Sequence, residues 1–176
     1  MANNRATKRL AICAMLSALG VVFLWMGALI EVVDLSVAVL ASLLCVFAVI
    51  EFGGSAPWLV FAVTAVLSLI LLPNKSAAAA YAIFFGYYPI VKEKLEKLPA
   101  FFAWLWKEVI FHVALVLLWL AWQFLLFPGE TVLPGGRLWL IAALLLAEAV
   151  FLLYDVALTR LISFYLVRLR HRLRLK

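Results

Sequence analysis

The sequence predicts an all-α integral membrane protein, a compact bundle of six transmembrane helices with both termini cytoplasmic. Three observations lead there. Hydrophobic residues make up 69% of the 176-residue chain and charged residues only 14%, whereas a soluble domain carries about 25% charged residues. Six apolar runs are separated by short polar breaks, and the basic residues collect in three clusters. With a mean hydropathy of +1.17, the chain lacks the polar surface to cover itself in water, so the bilayer is its expected solvent.

At 1.5 Å per residue, crossing about 30 Å of hydrocarbon takes about 20 helical residues. The first run spans 10–30 and follows the basic stretch MANNRATKRL. It is longer than the roughly 7–15-residue core of a secretory signal, and no convincing small-x-small cleavage site follows it before Glu31 and Asp34, so it reads as a retained span. The second, 35–50, lies between EVVD and EFGGSAP. The third, 57–72, opens on Pro57, a residue suited to a first helical turn. LPNKS then leads into a short fourth run, 76–90, whose alanine-rich start Ser76 is placed to cap. The fifth and sixth runs cover 101–127 and 138–167, completing a single transmembrane domain over 1–176. An alternative makes spans three and four a re-entrant pair hinged at PNKS.

Charge favours six full crossings. They gather Arg5, Lys8 and Arg9, then Lys92, Lys94 and Lys97, then Arg168, Arg170, Arg172, Arg174 and Lys176 on one side. The positive-inside rule makes that side cytoplasmic and leaves Lys75 and Arg137 in the outer loops. The tail RLRHRLRLK is expected to lie among anionic headgroups of the lipid bilayer, and no nucleic-acid-binding module accompanies it.

The motifs argue against an enzyme. There is no GxxxxGK[ST] loop and no HExxH, and the longest loops, KEKLEKLPA and PGETVLPGG, are too short to hold a catalytic domain. No cofactor and no metal are expected. Cys13 and Cys45 lie in apolar runs without ligand spacing and read as packing residues. Glu108 and His112 are four apart on one helix face, but no third ligand completes a metal or catalytic set, so they read as structural.

Span one carries Ala11, Ala14 and Ala18 at i, i+3, i+7. Helices in lipid gain nothing from water exclusion, and small residues let their backbones approach. The stripe is either a docking face for a partner or an internal packing seam. This arrangement resembles the substrate-binding S components of energy-coupling factor (ECF) transporters: six membrane helices, cytoplasmic termini, and an Ala-x-x-x-Ala pattern on the first helix, here Ala14 and Ala18 after Thr7-Lys8-Arg9-Leu10-Ala11-Ile12. The resemblance implies a multi-pass protein of the bacterial cytoplasmic membrane. It also implies that the chain captures a small vitamin-like metabolite for uptake, with an ECF transmembrane coupling subunit and two ATPase subunits as separate partners.

Polar residues at the outer side and inside the spans supply the pocket candidates. Glu148 falls about 15 Å along span six, near mid-membrane, where a carboxylate needs a partner or a function. Glu31, Asp34, Asn74, Lys75, Tyr81, Trp122, Gln123 and Arg137 outline a cup of mixed charge and aromatic walls. Under the resemblance, Asn74, Lys75, Gln123, Arg137 and Glu148 are the ligand-binding candidates. For Asn74 and Lys75 the competing reading is a plain surface turn, and for Glu148 a buried structural hydrogen bond. For the whole chain the alternatives are a structural or scaffold protein of the envelope, similar to the six-helix cell-shape family, or a small autonomous ion-coupled transporter.

Overall fold

The structure, a computed structural model, describes residues 2–30, 33–126 and 136–169, with backbone alone at 2–5, 125–126, 136–137 and 168–169. All regular structure among the described residues is helical. The described helices are α1 (Ala2–Leu29), α2 (Asp34–Glu51), α3 (Ala56–Leu71), α4 (Ser76–Ala80), α5 (Tyr88–Leu95), α6 (Ala100–Ala121) and α7 (Gly136–Phe164). Four helical stretches, Ala6–Leu29, Asp34–Glu51, Ala100–Phe124 and Leu138–Val167, are long and apolar enough to cross a membrane. Helix α3 is equally apolar but has only 16 residues, or about 24 Å of rise.

The fourth apolar run does not form one straight helix. Helix α4 passes into a π-helical turn, Tyr81–Phe85, before α5 begins. Helix α6 likewise ends in a π-helical turn at Trp122–Leu126. Such turns insert an extra residue into the ladder and re-aim the side chains beyond it.

The chain divides into two units, Met1–Gly129 and Glu130–Lys176. In the first, contacts at three levels show α1 and α2 antiparallel. Arg9 reaches Phe52 and Gly53, Gly20 lies against Leu44, and Gly27 lies against Val37. Helix α3 runs parallel to α1, since Ala6 and Arg9 share a cleft with Ser55 and Ala56 while Thr64 donates to the carbonyl of Ser17. The α4–α5 segment runs back down α3, with Tyr81 and Tyr87 against Phe61 and Lys94 over Trp58. Phe84 against Phe111, and Glu96 against Lys107, dock α6 alongside.

Small and hydroxyl side chains fill this core. Cys13, Ala38, Ala41, Cys45 and Ala48 are buried along α1 and α2, with Ser17, Ser42, Thr64 and Ser68 among them. Ser17 Oγ donates to the carbonyl of Cys13 at 2.9 Å and Ser42 Oγ to that of Val39 at 2.6 Å. In Ser17 and Ser42 the hydroxyl turns onto its own helix, which satisfies it without separating the helices; Thr64 instead donates across to α1, and Ser68 Oγ is buried without a partner among the described residues. Gly27 sets the closest approach: a Cβ there would stand 2.3 Å from Val37 Cγ2. Both cysteines are free and buried, and Cys45 Sγ lies 3.2 Å from the hydroxyl of the fully buried Tyr81.

The second unit is α7, extended by a π-helical turn over Tyr165–Leu169. Within it Thr159 Oγ1 donates to the carbonyl of Asp155 at 2.9 Å.

Candidate functional site

The antiparallel packing sorts the polar residues of the first unit to two ends. At one end lie Asp34, Asn74, Lys75 and Ser76, where α2 begins and where α3 hands over to α4. At the other lie Lys8 and Arg9 of α1, Glu51 of α2, Lys92, Lys94, Glu96 and Lys97 around α5, and Lys107 of α6.

The first end is tightly closed by its own hydrogen bonds. Asn74 Oδ1 accepts from the backbone N–H of Ser76 at 3.0 Å and from its hydroxyl at 2.8 Å. Ser76 is therefore no cap but the first helical residue of α4; the N-cap position is Lys75, which makes no side-chain capping bond, and Asn74 just before it accepts the N–H of Ser76. The Ser76 hydroxyl also contacts Asp34 Oδ2, joining α4 to the first turn of α2 across 42 positions of sequence. The other carboxylate oxygen, Asp34 Oδ1, is buried without a hydrogen-bond partner among the described residues. Lys75 Nζ donates to the carbonyls of Leu69 at 2.7 Å and Leu72 at 3.4 Å. These belong to the last turn of α3, where helices leave carbonyls unpaired and where a cation is favoured.

The five pocket candidates divide between the two units, Asn74, Lys75 and Gln123 in the first and Arg137 and Glu148 in the second. Asn74 and Lys75 are neighbours in this closed turn. Gln123 lies half-buried in the π-helical turn after α6 and makes no hydrogen bond to either of them. Glu148 belongs to α7 of the second unit and is half-buried. Arg137 is in the first turn of α7, and its side chain lies outside the described residues, as does all of Glu31. The sequence overlooked Asp34 and Ser76 as a pair. Acidic Asp34 at the edge of an apolar run was a visible signal; its partner, in a different helix, was not.

The docking candidates have a clear setting. Ala11, Ala14 and Ala18 are all exposed, on the side of α1 that also presents Met15, Leu19 and Val22. The opposite side, with Cys13, Ser17, Gly20 and Leu24, is buried within the first unit.

At the basic end, Lys92 is only 1% exposed. Its Nζ lies 2.9 Å from Glu96 Oε1, which in turn stands 3.6 Å from Lys107 Nζ, so one carboxylate links α5 to α6. A buried ammonium requires such pairing. His112 Nδ1 bonds to the backbone carbonyl of Glu108 at 2.9 Å, while the Glu108 carboxylate lies 4.0 Å away.

Arg9 organises the same end. Its Nη2 donates to the carbonyls of Phe52 at 3.1 Å and Gly53 at 2.7 Å, and the guanidinium lies 5.8 Å from the Phe52 ring centroid. Gly53 and Gly54 have φ of +56° and +59°, the left-handed region that glycine enters without penalty. This turns the chain from α2 to α3 and presents both carbonyls to Arg9. Beside it a cleft of about 480 Å³ is lined by Ala6, Arg9, Leu10, Cys13, Ser55, Ala56 and Leu59.

No family model matches this sequence, and comparisons with curated proteins and with solved structures gave no match.

Proposed function

We propose that this chain is the membrane-embedded capture subunit of a small-molecule uptake system, resembling the S components of ECF transporters. The observation that carries the reading is the helix face at Ala11, Ala14 and Ala18. It is exposed along an apolar helix whose opposite side is packed. Small side chains in that position admit a second helix to close backbone contact. A separate transmembrane coupling subunit is the proposed occupant, with two ATPase subunits supplying energy from the cytoplasm of a bacterial cell.

Orientation follows from charge. The end carrying Arg9, Lys92, Lys94, Lys97 and Lys107 is assigned to the cytoplasm, and the end carrying Asp34, Asn74 and Lys75 to the outside. The substrate, a vitamin-like metabolite, enters from that outer end.

Co-expression with an energy-coupling module tests this directly. The expected result is stoichiometric copurification and ATP-dependent uptake. Uptake driven by a proton gradient without the module would replace the reading with an autonomous transporter. A second reading, a structural membrane protein, is favoured by one observation: Asn74 and Lys75 both bond inward to close their own turn. Copurification with envelope-assembly proteins and no ligand binding would select it.

A further inference from the structure

We propose that the cleft between the N-terminal half of α1 and the first turn of α3 binds one anionic phospholipid, with Arg9 holding the headgroup and the apolar walls holding the upper acyl chain. The inference rests on membrane embedding and is independent of whether the chain transports anything.

Shape and chemistry both point to an amphiphile. The cleft, about 480 Å³, falls within the range of small-molecule sites. Its walls from Leu10, Cys13, Ala56 and Leu59 are apolar, and its polar groups come from Arg9 and Ser55. A guanidinium carries five N–H donors. In Arg9 only Nη2 has acceptors among the described residues, the carbonyls of Phe52 and Gly53. Those two bonds hold the group in place while Nε and Nη1 keep donors for a phosphate. Ser55 makes no side-chain capping bond, so its hydroxyl is also available at the head of α3.

Charge complementarity selects an anionic lipid over a neutral one. Exposed Lys8 adjoins Arg9 in sequence, and Lys94 Nζ lies 5.9 Å from the ring centroid of Trp58, in the first turn of α3. An anionic headgroup seated here meets the Arg9 guanidinium. An apolar floor beneath a basic lip is what a soluble anion does not need and a phospholipid does.

The test is native mass spectrometry of the full chain in a neutral detergent, titrated with phosphatidylglycerol or phosphatidylcholine. A single basic residue near an anionic headgroup is worth about fivefold in binding, so single-lipid adducts should favour phosphatidylglycerol by at least about that factor. Arg9→Gln should abolish the preference. Because Arg9 also ties the turn between α2 and α3, Leu10→Trp provides a second variant. Leu10 is 60% exposed, so the larger ring fills the cleft without disturbing the core, and it should remove the tight adduct. Equal adducts for the two lipids in the unaltered chain would overturn the proposal, as would an unchanged preference in Leu10→Trp. Millimolar inorganic phosphate should leave the adduct in place; displacement by phosphate alone would reveal a simple anion site and overturn the lipid assignment.

Discussion

The ammonium of Lys75 donates to the carbonyl oxygen of Leu69 at 2.7 Å, folding back over the end of α3. A lysine turned onto its own helix terminus stabilises the handover to α4 and leaves the turn without an outward-reaching cation. The bond is exposed, so its net worth is about 0.5 kcal/mol, the low end for hydrogen bonds. Lys75→Ala should lower thermal stability in detergent only slightly and leave insertion intact. If Lys75 also binds an anionic ligand, the same variant should weaken capture far more than it weakens the fold; measuring both separates the roles.

A larger effect is expected at the link between Asp34 and Ser76. This contact joins the first turn of α2 to the first turn of α4, and Asp34 Oδ1 is already buried without a partner among the described residues. Removing the serine hydroxyl takes away the polar group that this carboxylate meets across the two helices. Ser76→Ala and Asp34→Ala should each destabilise the protein, and their double-mutant cycle should show a coupling of about 0.5–3 kcal/mol. Strict additivity of the two losses would show that the contact contributes nothing.

How legible was this in the sequence? The runs 10–30 and 35–50 announced α1 and α2 through hydropathy, although α1 already begins at Ala2, since the basic stretch before the apolar run continues the same helix. The fourth run was less transparent. AAAAYAIFF reads as plain helix, and the π-helical turn at Tyr81–Phe85 arises where Tyr81 and Phe84 pack against α3 and α6. Arg9 was visible only as a positive charge. That it clamps the carbonyls of Phe52 and Gly53 depends on a fold contact 43–44 residues away, which no local pattern encodes. The same limit hid Asp34 and Ser76 as partners. Local periodicity finds helices; it does not say which polar side chains meet.

Close helix approach gives a sharper prediction at Gly27. A methyl group there would overlap Val37 Cγ2 at 2.3 Å and meet Ala77 Cβ at 3.5 Å. Gly27→Ala must therefore displace Val37 or separate α1 from α2, at a cost of about 1–3 kcal/mol for overpacking. Val37→Ala should restore much of the loss by vacating the colliding methyl. A thermal-unfolding series of the two single variants and the double variant checks the compensation. Failure of the second change to rescue would place the strain elsewhere.

Topology follows from the sorting of charge to the two ends of the first unit. Single cysteines introduced beside Lys94 and beside Lys75 should be labelled from opposite sides of the membrane, Lys94 from the cytoplasm and Lys75 from outside. Cys13 and Cys45 are buried, so their background reaction with a membrane-impermeant maleimide should be slow. Labelling of both introduced sites from one side would leave α3 and α4 as a re-entrant pair.

The face at Ala11, Ala14 and Ala18 yields the test most specific to docking. These side chains are exposed and touch the side of α1 that the first unit leaves open. Ala14→Leu together with Ala18→Leu enlarges that face by two branched side chains without entering the core around Ser17 and Leu24. Leucine is a better match for lipid than for a tight helix pair, so the isolated chain should keep its detergent stability to within about 0.5 kcal/mol, as expected for surface substitutions. Association through close backbone contact should fall by about fivefold or more, since overpacking a close contact costs about 1–3 kcal/mol. Copurification with a coupling subunit measures the second quantity, and thermal unfolding the first. A stability loss as large as the association loss would mean the stripe is an internal seam. Unchanged association would mean that any partner sits on another helix.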